Sequence, residues 1–298
     1  MCYDVHKQKK GGIYMKEYID LHIHTLYSDG DKTPKQIIQM AKEIGLTTIS
    51  ITDHNIISGI QTLTEKDLEG IEFIPGVELS AKTDKARMHI LGYGIDVNNK
   101  ELNQKLDDRV DIKNILLYCR YLEKIFNIYF SQNDINTLIS TTGNIGRPEL
   151  AKLLIKYGYA KDIDEAFDKY LNPVVEECRD LKAGYTKEEC IKMILEAGGI
   201  PVLAHPISLK LEEKELIEEL KYLKSIGLKG IETKHIHHTK EYTNMLEKIA
   251  DDLGLLKTGG TDYHGEIKPN VKLGSGVNNN VKVTESTMLD YFRSLKTA

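Results

Sequence analysis

The sequence predicts an α/β fold, a seven-stranded barrel one strand short of the usual eight, interrupted by an inserted helical subdomain. Three observations lead there. Short β-branched or apolar segments alternate with amphipathic helices along 15–98 and again along 186–298. Seven strand candidates end near His22, Thr52, Glu78, Leu91, Ala204, Thr233 and Gly260. Between the two stretches, 99–185 has no convincing strand and carries apolar helical patterns instead.

The first strand candidate is Tyr18 to Ile23. In DKTPKQIIQMAKEIGL, Thr33 sits where an N-cap is wanted, Pro34 at the first helical position and Gln36 where a capping box needs it. Ile37, Ile38, Ala41 and Ile44 follow at helical spacing, and Gly45 ends the helix. TTISIT, IEFIPGVELS and ARMHILGYGI supply the next three strands. After the gap come a helix in KEECIKMILEAGG, a strand in IPVLAH, a helix in LEEKELIEELKYLKSIG and a strand in LKGIETK. EYTNMLEKIADDLG and LLKTGGTDYH close the series. Strands joined mostly through helices imply a parallel sheet. The insertion, with ILLYCRYLEKIFNIYF, PELAKLLIKYGYA and DEAFDKYL, lies between a strand and the return of the βα pattern. It would rise from the face where barrel loops gather and could cover a site there.

Composition narrows the function. With 298 residues, 41% hydrophobic, the chain can bury a sizeable core. A net charge of -5, from 45 acidic against 40 basic residues, leaves no global positive field for a nucleic-acid backbone. No stable nucleic-acid partner is expected, and a small anionic ligand would be attracted locally. Cys2, Cys119, Cys178 and Cys190 are scattered without CxxC spacing, which argues against a zinc ribbon or a disulfide framework. No apolar run is long enough to cross a bilayer, and the N-terminus lacks the apolar stretch of a signal peptide. The expectation is a soluble, cytoplasmic protein without a membrane partner, whose residues 1–14, His6 included, are a disordered leader or follow an upstream start.

The chemistry starts at IDLHIHT. His22 and His24 are two apart on a strand, so both imidazoles point to one side. Such a pair alone is a weak signal. However, six of the ten histidines (His22, His24, His54, His89, His205 and His264) fall at or just after strand ends, with Asp53, Glu78 and Asp262. Barrel strand ends converge on one face, making these residues neighbours. Imidazole and carboxylate donors without cysteine suit zinc, manganese or iron.

The strings DLHIHTLYSDG, ITDHNIISG, PGVELS, HILGYGID, GRPELAKLLI, FDKYL, GGIPVLAHP, KGIE and GTDYHG, spanning Asp20 to Gly265, resemble the polymerase and histidinol phosphatase (PHP) superfamily, and within it the stand-alone nucleotide phosphatases. The resemblance implies a distorted (β/α)7 TIM-like barrel holding two to three divalent ions (Mn, Fe or Zn). It assigns His22, His24 and Asp262 to one ion. Glu78 would bridge to a second held by His89 and His205, and Asp29, His54 and His264 would hold the third. Such ions outweigh their carboxylates and suit a phosphate. The implied reaction is in-line attack of metal-bound hydroxide on a phosphate monoester of a nucleotide, a nucleoside 3',5'-bisphosphate or a short oligonucleotide. The alternatives are histidinol-phosphate hydrolysis, proofreading-type exonuclease action, or a non-catalytic regulatory metal module.

By the same resemblance Arg147 grips a substrate phosphate, for which a planar bidentate guanidinium is suited; a helix-capping surface arginine is the plainer reading. Relatives often carry histidine where this chain has Glu149, so the carboxylate must point away along its helix or meet a ribose hydroxyl. Asp53 either orients a neighbouring imidazole or closes a turn. In KHIHHTKEY, which carries His235, His237 and His238, one histidine, His238 for preference, contacts substrate, or the segment is a solvated loop. Lys268 neutralises a second phosphate or is simply exposed.

Overall fold

The computed structural model describes residues 17–83, 88–107, 110–140 and 145–297, and the backbone of a short antiparallel ribbon pairing Lys9–Lys10 with Ile13–Tyr14. The rest of the expected leader at 1–14, with Cys2 and His6, lies outside the described residues. Seven strands follow one another in the main sheet: β1 (Ile19–Ile23), β2 (Thr48–Ile51), β3 (Glu72–Ala81), β4 (Met88–Tyr93), β5 (Ile200–Leu203), β6 (Gly230–Lys234) and β7 (Leu256–Gly259).

The expected all-parallel order fails at one place. β4 runs antiparallel to both β3 and β5, whereas β1–β2–β3 and β5–β6–β7 are parallel. Only residues 82–87 join β3 to β4. A parallel crossover needs roughly a dozen residues or more, so the chain must turn straight back.

Buried aliphatic residues fill both sides of the sheet. Leu21, Ile74, Leu91, Tyr93 and Val202 pack with Val283, Met288 and Phe292 of the C-terminal segment. Ile37, Ile49, Ile51, Leu79, Ile191 and Leu220 pack the strands against the surrounding helices. Each fully buried Leu or Ile contributes about 1.5–3 kcal/mol. The helix Pro34–Glu43 starts as its sequence dictates: Gln36 N–H donates to Thr33 Oγ1 at 3.2 Å, and Thr33 N–H to Gln36 Oε1 at 2.8 Å.

Between β4 and β5, helix Lys100–Leu106 packs on helix Lys187–Glu196 and buries Leu102 in the barrel's own core. The helices Val110–Phe126, Gln132–Ile139, Arg147–Lys156 and Asn172–Glu177 surround a separate cluster containing Ile115, Leu122, Leu150, Leu154 and Val174. The return linker is tied to β3, with Lys82 N–H donating to Tyr185 O at 2.7 Å.

The barrel nearly closes between β7 and β1, through an isolated bridge of Ile23 with Tyr263. His24 N–H donates to Tyr263 O at 2.9 Å. Gly260 has to be glycine here, since a Cβ would lie 2.4 Å from the backbone nitrogen of His22. Fully buried Asp20 stitches the seam. Its Oδ1 accepts from Thr261 N–H at 2.9 Å and His22 N–H at 3.3 Å, and its Oδ2 from the Thr261 hydroxyl at 2.5 Å and Gly274 N–H at 2.8 Å. An amide in place of this carboxylate offers one acceptor oxygen and sets a donor against donors. Asp20→Asn is therefore expected to destabilise the fold by about 1–3 kcal/mol, read as a lower urea midpoint in chelator-treated protein. An unchanged midpoint would show that the seam does not depend on the carboxylate.

Candidate metal centre

β1 delivers the first two imidazoles as the strand period requires. His22 and His24 are fully buried on one side of the strand, with ring centroids 5.2 Å apart. His54 follows β2, and Glu78 lies within β3. His205 follows β5, and Asp262 and His264 follow β7. His89 departs from the expected placing at a strand end, as it is the second residue of β4. It reaches the same face because β4 is antiparallel, which pairs His89 with Ser80, two residues beyond Glu78.

Glu78 is the centre of the arrangement and is wholly inaccessible to solvent. Its Oε2 lies 3.2 Å from Nε2 of both His22 and His24 and 3.1 Å from His54 Nδ1. Its Oε1 lies 2.8 Å from His89 Nδ1 and 2.9 Å from His205 Nε2. Asp262 Oδ1 is 3.2 Å from His24 Nε2, and Asp29 Oδ1 is 3.2 Å from His264 Nε2. Four sets of donor atoms are close enough to share an ion: His22, His24 and Asp262; His24, Asp29, His54 and His264; His22, Glu78 and His205; and His54, Glu78 and His89. Together these sets contain all nine candidate ligands, and among the described residues they contain no tenth.

The donor set fits divalent ions on a further ground. His22 Nε2, His24 Nε2, His54 Nδ1 and Glu78 Oε2 are buried, point at one another and have no hydrogen-bond partner. Unsatisfied buried polar atoms are costly and rare, and a cation lying between them would satisfy all four. Two of the candidate ligands also sit on strained backbone, with φ of +24° at His205 and +51° at Asp262.

Charge is balanced inside the cluster. Burial disfavours a charged His22, but Glu232 and Glu78 outweigh it and hold its pKa well above the usual value. Burial likewise opposes a charge on His24, yet Asp262, Glu78 and Asp29 raise it to about 10. Burial dominates at His54, lowering it to about 3. The surrounding imidazoles overcome burial at Glu78, Asp262 and Asp29 and keep all three carboxylates below their ordinary range. Ions binding here would displace protons from His22 and His24.

The structure gives each of the ambiguous residues a definite place. Asp53 closes a turn, accepting from Thr25 N–H at 2.7 Å, the Thr25 hydroxyl at 2.6 Å and the Ser28 hydroxyl at 2.6 Å. Glu149 points back along its own helix, where Oε2 accepts from Gly146 N–H at 2.9 Å. Arg147 opens that helix, with Nη1 3.3 Å from Asn172 Oδ1 and its guanidinium over the Phe167 ring. Lys268 is neither isolated nor clear of the cluster, since Nζ lies 2.8 Å from Asp262 Oδ2. The KHIHH segment is not a solvated loop throughout. His235 and His238 are buried, and His238 Nδ1 donates to Thr233 O at 2.9 Å, while His237 is exposed.

Glu232 was missed as a site residue by reasoning from sequence. It is fully buried, with Oε1 2.9 Å from His22 Nδ1 and Oε2 accepting from His205 N–H at 2.7 Å. It therefore fixes two candidate ligands from behind. The available signal was a lone acid inside the strand LKGIETK, which cannot be buried there without partners.

A family model described as the PHP domain matches residues 20–177. The chain belongs to the PHP domain family. Its relatives include a 5'-3' exoribonuclease of Haemophilus influenzae, 28% identical over 84% of this chain and 91% of that protein. A 3',5'-nucleoside bisphosphate phosphatase of Chromobacterium violaceum is 29% identical over 83% of this chain and 87% of its own length. Among solved structures, a metal-dependent phosphoesterase from Bifidobacterium adolescentis superposes with a TM-score of 0.71 at 25% identity, covering 92% of this PHP chain and 95% of its own.

Glu232→Gln tests the support behind the cluster. A glutamine can satisfy only one of the two donors that Glu232 now accepts. Metal affinity is expected to fall about 10- to 100-fold, measured by competition against a chromogenic chelator, with the circular dichroism spectrum retained. Unaltered affinity would count against this role.

Proposed function

We propose that this PHP protein hydrolyses phosphate monoesters of nucleotides, with His22, His24, Asp29, His54, Glu78, His89, His205, Asp262 and His264 holding two to three divalent ions, Mn, Fe or Zn. The observation that carries the reading is the convergence of buried, unsatisfied imidazole nitrogens on a buried Glu78. When bound, such ions would offset the charge of a phosphoryl group and acidify water. The enzyme is a metal-dependent phosphoesterase, in keeping with the PHP family and with the activities named for its relatives.

The chain's own residues supply position. Glu232 holds the His22 ring through Nδ1, leaving Nε2 directed at Glu78. Lys268 brings a positive charge to Asp262 at the rim. A cavity of about 250 Å³ adjoins the cluster, for its lining includes Asn55, next to His54, and Ser80, paired with His89. Arg147 lines the same cavity from the insertion. This volume is below the usual ~300–1,000 Å³ for ligand pockets, which favours one nucleotide unit or the end of a short oligonucleotide over a longer strand.

Hydrolysis of p-nitrophenyl phosphate and of nucleotides should be abolished by chelation and restored by manganese, iron or zinc. Elemental analysis should find more than one ion per chain, since nine ligands are too many for one. His22→Ala combined with His24→Ala should remove turnover in a chain that stays folded. Retained turnover would place the reaction elsewhere, and a single tightly bound ion would argue against a multinuclear centre.

Arg147→Ala should raise KM for nucleotide substrates by about ten- to a hundredfold, the effect of losing a charge-assisted contact of about 1.5–3 kcal/mol. A small generic ester should suffer less. Equal kcat losses on both substrates with unchanged KM would contradict a binding role.

A further inference from the structure

The two carboxylate oxygens of Asp262 have different surroundings. Oδ1 faces the cluster, 3.2 Å from His24 Nε2, 3.5 Å from His264 Nδ1 and 3.7 Å from His22 Nε2. Oδ2 is the oxygen that Lys268 Nζ reaches, at 2.8 Å, and His235 Nε2 lies 3.6 Å from it. The backbone of Asp262 sits in the left-handed region at φ +51°, a strained conformation that persists where the surroundings over-determine it. Its carbonyl is held as well, accepting from His264 Nδ1 at 2.8 Å.

His235 presents a single donor toward Oδ2. Its side chain is buried, and its Nδ1 accepts from the His237 N–H at 3.3 Å. A neutral imidazole whose Nδ1 accepts carries its proton on Nε2. That Nε2–H is buried and, among the described residues, has no hydrogen-bond partner, an unfavourable state for a donor. A closure of about 0.5 Å onto Oδ2 makes the bond. The loop that carries the ring is pinned on either side: His238 N–H donates to His235 O at 3.0 Å, Gly260 N–H to Lys234 O at 3.1 Å and Asn280 Nδ2 to Ile236 O at 2.7 Å. His238 cannot substitute as the donor, since its Nδ1 donates to Thr233 O and leaves Nε2 an acceptor. Lys268 alone, on a flexible and partly exposed side chain, does not fix the orientation of the carboxylate.

We propose that His235 is a positioning residue for the metal centre: with Lys268 it holds Asp262 Oδ2, so that Asp262 presents Oδ1 alone to the ion shared with His22 and His24. This role rests on the reading of His22, His24 and Asp262 as holders of an ion. A carboxylate restrained at one oxygen occupies one position at the ion where a free one can take two, and a catalytic site needs a position left open. Partners behind a ligand also set how tightly the ion is held.

The test strips the full-length protein with chelator and titrates cobalt(II) into wild type, His235→Phe, His235→Gln and Lys268→Met. Affinity is read by competition with a chromogenic chelator, and coordination by the visible absorption of bound cobalt. His235→Phe should lose about tenfold or more in affinity and change the position or intensity of the visible bands, with its circular dichroism spectrum retained. His235→Gln, whose amide nitrogen replaces the donor, should recover most of both. In a double-mutant cycle His235→Phe and Lys268→Met should be non-additive, because both donors act on one oxygen. In wild type loaded with zinc(II), long-range proton–nitrogen correlation spectra should show His235 protonated at Nε2, the signal being assigned by its absence from His235→Gln. A proton on Nδ1 instead, wild-type affinity and bands in a folded His235→Phe, equal losses in His235→Phe and His235→Gln, or additive losses in the cycle would overturn the positioning role while the metal centre stands. Should His235→Phe not fold, the tautomer in wild type decides. If wild type takes no cobalt from the chelator, the reading of a metal centre itself fails and the role of His235 falls with it.

Discussion

Everything at the rim of this barrel depends on one fully buried carboxylate. An isolated ionised Glu78 would be prohibitively costly in the interior, and it is tolerated because five imidazole nitrogens stand within 3.2 Å of its two oxygens. Those imidazoles are themselves buried or nearly so, and each needs its other nitrogen or its backbone fixed. Glu232 meets that need for His22 and His205, and Ser28, itself held by Asp53, lies beside His24; outside the five, the Asp262 carbonyl does the same for His264. A shell of polar groups has therefore been built into a barrel end that would otherwise be apolar, which makes sense for binding ions and not for stability alone.

The reversed strand is part of the same construction. Because β4 runs against its neighbours, its N-terminal end lies where the other strands have their C-terminal ends. His89 enters the cluster from a strand start for that reason. β4 also ends at the opposite side of the barrel, and the helix Lys100–Leu106 then packs along the outside before the chain rises into the insertion. The return linker must come back to the β3 end, which it reaches through the Tyr185 to Lys82 hydrogen bond. The cavity is thus bounded by the end of β3, the residues after His54, the insertion and its return linker, and its basic wall follows from which residues those segments carry. A chain of net charge -5 can in this way hold a local positive site without a positive surface.

Much of this was legible in the residues. The HxH pair fixes two imidazoles on one face because a strand has a period of two, and Thr33, Pro34 and Gln36 mark a helix start because of their own local hydrogen bonding. These signals are short-range, so they survive without knowledge of the fold. The recurrence of histidines and acids at strand ends pointed to a shared face because barrel geometry converges there.

Other features depended on partners far away in sequence. The direction of β4 is set by the length of its connection and by the two strands it joins, and its own residues read the same either way. Glu232 gains its meaning from His22, 210 positions away, and Asp20 from Thr261, 241 positions away. Whether Glu149 faced a phosphate or its own helix was decided by the Gly146 amide, which a capping geometry makes the nearer donor. Sequence alone determined the residue types, their local periodicity and the alternation of strands and helices, while the family resemblance carried by its motifs implied the distorted barrel and the full ligand set. Tertiary structure decided which buried charges face one another, since the cost of burying a charge depends on partners that only the folded chain brings within reach.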